Sequence, residues 1–111
     1  MAGVSVDEFE EGVIAICSAS SVVRNIVNQS LGLDWCSVRA YLVDESFVDI
    51  FYNQKTGKTA FAQVREGHRI FGADNRKGWH WHPSEDPSKH IASDHVIAFE
   101  DFLKEIEKSL K

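Results

Sequence analysis

No apolar run in this 111-residue chain reaches the ~18 residues that a membrane-spanning helix needs, which excludes that class of architecture. The first residues, Met1-Ala2-Gly3-Val4-Ser5, have neither the basic start nor the apolar block of a secretion signal, so a cytoplasmic protein with no membrane partner is expected. Cysteine is scarce. Cys17 and Cys36 stand alone in apolar surroundings, which argues against a disulfide framework and predicts structural thiols. An excess of positive charge is also missing: the formal net charge of −5 argues against broad nucleic-acid affinity, which comes mostly from neutralised phosphates. The chain has no P-loop, no dinucleotide-binding glycine pattern, no Ser/His/Asp order of a known hydrolase and no His-Glu-x-x-His helix.

What is present is concentrated. The stretch from Trp79 to His90 holds two of the three tryptophans, three of the five histidines, both prolines and the adjacent pair Glu85-Asp86. Charge is also unevenly distributed. Residues 1–35 carry five acids and one base, residues 36–82 seven bases and five acids, and residues 83–111 seven acids and four bases. A mildly basic middle therefore runs into the His/Trp stretch between acidic ends, which leaves an anionic substrate open.

Ser5-Val6-Asp7-Glu8 has the form of a capping box, with Val4 and Phe9 at the flanking apolar positions. The apolar positions Phe9, Val13, Ile16, Val23, Val27 and Leu31 predict a helical region over about 6–31, ended by Gly32. The Ser18–Ser21 cluster leaves open whether this is one helix or two. From Cys36 the apolar period becomes two, and turn signals recur about every ten residues. Five strands are expected over 36–82: Cys36–Val43, Phe47–Tyr52, Thr59–Val64, His68–Ala73 and Trp79–His82. Such short connections favour an antiparallel meander over crossovers. A polar loop follows, then a C-terminal helix over about 96–110 with Ser93 or Asp94 as its cap. The expectation is one α+β domain spanning 1–111, a two-layer structure in which both helices cover one face of a five-stranded antiparallel meander. Phe47 and Phe51 oppose Val48, Ile50 and Tyr52, so the uncovered face is a candidate surface for a homodimer or another partner.

In an extended Trp79–His82, both imidazoles share one face and both indoles the other. His80 and His82 are thus candidate catalytic residues, since histidine supplies acid and base near neutral pH. Asp74, in the turn before them, is a candidate to join them, although Asp at such a place also serves turn geometry. Arg76 and Lys77 are candidate phosphate-binding residues, with Asn75 and Trp81 as further substrate contacts. The indoles also suit the core. A divalent metal such as zinc is the alternative for the same block: His80 and His82 have strand-type ligand spacing, and His90 could complete the set. His68, Glu85 and Asp86 are further third-ligand candidates. No other cofactor is expected.

Over roughly residues 41–90 the chain resembles the TumE-like toxin components of prokaryotic toxin–antitoxin pairs and related small proteins. The features that carry the resemblance are the β-meander, the run Arg69-Ile70-Phe71-Gly72-Ala73-Asp74-Asn75 ending a strand in an Asp-Asn pair, and the histidines just after it. The long N-terminal helical region has no counterpart there. The resemblance implies a toxin-like protein held by a helix-turn-helix antitoxin and acting on RNA, with Asp74, Asn75, His80 and His82 at the matching positions. Two other function classes fit the residues: a non-enzymatic protein-interaction module and a histidine-based metal-binding domain.

Overall fold

The computed structural model describes residues 4–86 and 88–110; Pro87, within the expected polar loop, lies outside them. The elements run α1 (Val6–Ser18), β1 (Val23–Leu31), β2 (Trp35–Leu42), β3 (Phe47–Asn53), β4 (Thr59–Arg65), β5 (His68–Asp74), β6 (His80–His82), β7 (Ile91–Ala92) and α2 (Phe99–Ser109). The strands form one antiparallel sheet in chain order, β1 to β7. The α+β meander with helices on one face is therefore present, with seven strands rather than five. Among the described residues no helix is long and apolar enough to cross a membrane.

The capping box forms as expected: the Glu8 amide donates to Ser5 Oγ and the Ser5 amide to Glu8 Oε1. The predicted helix to residue 31 does not. The helix ends at Ser18, and residues 23–31 pair with β2 as an edge strand. Of the apolar positions that suggest a helix, Val23 and Leu31 face inward, but Val27 stands opposite Arg39 on the outer face. Opposite the inward-facing Leu42, Ala40, Val38 and Cys36 stand Val23, Ile26, Asn28 and Leu31. Register shifts after Val23 and Asn28 each insert a residue into β1, so inward positions fall three, two and three apart and the two-residue period of a strand is hidden. Gly32, expected to end a helix, instead lets the Trp35 indole lie over the β1–β2 turn, where a Cβ would overlap the ring.

Both helices cover the face formed by the even positions of β2 and β3. Phe9 of α1 stacks on Tyr52 at 4.4 Å, and Asn28 of β1 bonds Glu10. The ring of Phe102 in α2 is fully buried, 4.9 Å from Phe71, 5.3 Å from Phe61 and 6.2 Å from Trp81. α2 starts at Phe99, later than expected, with Ala98 at the cap and no side-chain bond. Ser93, a predicted cap, is instead tied to β6 by its amide, which donates to the Trp79 carbonyl. Residues 91–92 have become a strand, which delays the helix. Both cysteines are free and buried, and burial pushes the Cys17 thiol up to about 11, so it stays protonated and unreactive.

Phe102 joins α2 to three strands, so Phe102→Ala should lower unfolding stability by about 3–5 kcal/mol in urea titration. A loss below about 1 kcal/mol would contradict this packing.

Candidate functional site

Alternation in β6 divides the His/Trp stretch into two faces. Trp81 packs against both Phe71 and Phe102, and Trp79 packs on Phe61, so both indoles belong to the helix-covered side. His80 and His82 project from the opposite face. Pairing of β5 with β6 sets Asp74 directly across from His80 and Gly72 across from His82. The next pairing, Trp81 with Ile91 in β7, returns the chain so that His90 arrives beside them. The three ring centroids lie 4.5–4.9 Å apart.

Asp74 is the hub. Its Oδ1 lies 3.2 Å from His80 Nε2 and its Oδ2 lies 3.0 Å from His82 Nε2. It also accepts the Arg76 amide at 3.0 Å, so the expected turn role and a site role coexist in one carboxylate. The opposite ring nitrogens are oriented as well. His80 Nδ1 lies 3.1 Å from the Gly78 carbonyl, and His82 Nδ1 lies 3.4 Å from Arg69 Nη2. Arg69 can only donate, so His82 Nδ1 accepts and its Nε2–H donates to Asp74. His80 has acceptors at both nitrogens, a setting complementary to its doubly protonated form.

An open cleft of about 600 Å³ lies over this network, lined by Arg69, Arg76 and Lys77 together with Asp74 and the three histidines. Three cations thus surround one carboxylate. His82 is buried, with 4% of its surface exposed, and His90 is exposed at the cleft mouth. Lys77 and Gly78 adopt left-handed backbone (φ 57° and 99°), the tight turn that brings Arg76 and Lys77 to the rim.

Of the residues singled out in the sequence, Asp74, Arg76, Lys77, His80, His82 and His90 converge here. Two do not. Asn75 Oδ1 accepts the Thr59 amide and its Nδ2 donates to the Gly57 carbonyl, so this side chain pins the β3–β4 turn. Trp81 lies on the far side of the sheet. His68, at the exposed start of β5, and Glu85 are also absent from the cleft lining, and Asp86 bonds Ser88 within its own loop.

Arg69 was not foreseen. Simple alternation from Phe71 and Ala73 would put it on the helix side, but the register shift between Gln63 and Val64 turns it over the outer face. Gly72 makes the crossing feasible: a Cβ there would lie 3.3 Å from Arg69 Cδ and 3.6 Å from His82 Cδ2. No family model, curated protein or solved structure matches this chain.

Burial pushes the Asp74 carboxyl upward, but the His82 bond, the Arg76 amide and the charges of His80 and His82 outweigh it and hold it below its ordinary value. A lowered folded value means that Asp74 contributes stability in full above its unfolded value, ~3.9, and that this is lost as pH falls through the folded value. In a ¹³C NMR titration the Asp74 carboxyl midpoint should lie below that of a free Asp and rise in His82→Ala, where burial persists without the donor. An unchanged midpoint in the variant would contradict the network.

Proposed function

We propose that this protein cleaves RNA by metal-independent phosphoryl transfer, the activity expected of a toxin-like component of a toxin–antitoxin pair. The observation that carries the reading is the convergence, in one cleft, of three imidazoles and a carboxylate with three cationic side chains. In-line attack of a ribose 2′-hydroxyl on the adjacent phosphorus needs a base, an acid and positive charge at the phosphate. His90, exposed at the mouth, accepts the 2′-hydroxyl proton as the O2′–P bond forms. His80 is the acid: its Nε2 proton, bonded to Asp74 in the free protein, leaves that carboxylate and passes to the departing 5′-oxygen as the P–O5′ bond breaks. Arg76 and Lys77 stabilise the charge on the phosphate oxygens. Asp74 and His82 position His80, with His82 in turn oriented by Arg69. The products are a 2′,3′-cyclic phosphate and a free 5′-hydroxyl.

A zinc site is the second reading, favoured by ligand nitrogens of His80, His82 and His90 that lie within 4.8 Å of one another. The Gly78 carbonyl at His80 Nδ1 is also a partner that metal-bound imidazoles use. Two observations count against this fit. Tetrahedral zinc at ~2.0–2.1 Å from each nitrogen needs ligands closer together than this. Arg69 beside His82 Nδ1 also favours the tautomer whose Nε2 carries a proton, which leaves that nitrogen unable to bind metal.

Incubation with single-stranded RNA should give cyclic-phosphate ends by mass spectrometry, undiminished by chelator. His80→Ala and His90→Ala should each slow cleavage by about 10²–10⁴-fold. Full activity in both variants would remove these residues from the mechanism. Activity lost to chelator and restored by zinc would favour the second reading.

A further inference from the structure

The same face of the sheet that carries the histidines also carries an aromatic platform, in line with them. Strand register places Ser37, Phe51, Ala60, Asp74 and His80 in one row across five strands. Tyr52 packs on α1 and Phe61 on α2, so their neighbours Phe51 and Ala60 face away from the helices. Only the methyl of Ala60 stands between Phe51 and Asp74, at two inter-strand spacings or ~10 Å.

The aromatics on this face are not equivalent. Phe47 is capped by the Arg39 guanidinium at 3.8 Å, and Arg39 is itself paired with Asp49 at 2.7 Å. Phe51 is half-buried with Trp35 beside it, ring centroids 6.4 Å apart, and the exposed Lys58 holds its ammonium 5.6 Å from the ring centre. The space between platform and histidines is bordered by cations. A second cleft, about 370 Å³, is lined by Thr56, Lys58 and Arg76, and Arg76 also lines the histidine cleft. Lys77, Arg76 and Lys58 therefore form a cationic path from the imidazoles to the edge of Phe51. The acids on this face, Asp49 and Asp74, are paired with Arg39 and with the imidazoles, while α1 carries Asp7, Glu8, Glu10 and Glu11 with no base on the opposite layer.

We infer that this row binds single-stranded RNA, with one phosphate in the histidine cleft, backbone along Arg76 and Lys58, and a neighbouring base stacked on Phe51. The inference rests on the proposed phosphoryl transfer and names its substrate class. An unpaired strand is required, because a base in a duplex has no free face to offer an aromatic ring. Stacking on a ring is tolerant of sequence, so recognition along this track is by strandedness.

The test is fluorescence anisotropy with a labelled, mixed-sequence single-stranded RNA that is 2′-O-methylated throughout, so that it binds without being cut. Phe51→Leu and the surface change Lys58→Glu should each weaken binding by about fivefold or more. A perfect duplex of the same length should bind more weakly than the single strand. Lys58→Glu, in a turn, carries the test if Phe51→Leu fails to fold by circular dichroism. Wild-type affinity in the folded variants, equal affinity for duplex, or no RNA binding at all would overturn the inference. So would a dimer that Phe51→Leu dissociates and RNA does not compete with, because a second copy would then cover this face. Cleavage is not read here, so the two proposals fail separately. Binding without cutting contradicts the proposed chemistry alone, and cutting with unimpaired variant binding contradicts the track alone.

Discussion

One carboxylate organises this molecule's chemistry: Asp74, with an oxygen toward each of two imidazoles. Its position depends on backbone pairing. Three paired positions between β5 and β6 put Asp74 across from His80, and β7 then returns His90 to the same spot. The far sides of the rings are held by groups that need no rearrangement, a backbone carbonyl for His80 and the Arg69 guanidinium for His82. Imidazole orientation is therefore set before any ligand arrives. What remains to rearrange is small: the His80 Nε2 proton must exchange the Asp74 carboxylate for a ligand atom.

The two-layer architecture also separates charge. Eight of the seventeen acidic residues sit on the helices, which cover one face, while Arg69, Arg76, Lys77 and Lys58 border the other. A net charge of −5 for the whole chain is thus compatible with a locally cationic surface at the cleft. The overall balance averages over two faces, so it does not describe the charge that a ligand at the cleft would meet.

Legibility in the sequence followed the range of the interactions concerned. The capping box is local and reads directly from Ser5 and Glu8. The two-residue period of Trp79–His82 likewise fixed which side the indoles and imidazoles take. β1 reads as helical because two extra residues hide its alternation and Val23, Val27 and Leu31 fall four apart although Val27 faces outward, a feature visible only once the partner strand is known. Arg69 was missed for the same reason, with a register shift against β4 carrying it to the other face. His90 could be named as a candidate, but its arrival depends on a two-residue strand that no local pattern announces. Asn75 carried the right chemistry for a ligand contact, yet its amide is used to close a neighbouring turn, a pairing set by a residue sixteen positions away.

In the proposed mechanism Asp74 and Arg69 lock the imidazoles into a proton-transfer arrangement, and imidazole tautomers report this directly. Long-range ¹H–¹⁵N spectra of the metal-free protein should show His82 with its proton on Nε2, and His80 with a proton on Nδ1. Asp74→Asn should leave the His80 Nδ1 proton in place while changing the environment of both Nε2 atoms. A His82 ring protonated on Nδ1, with an Nε2 that shifts on adding zinc, would contradict the account and identify a metal centre instead.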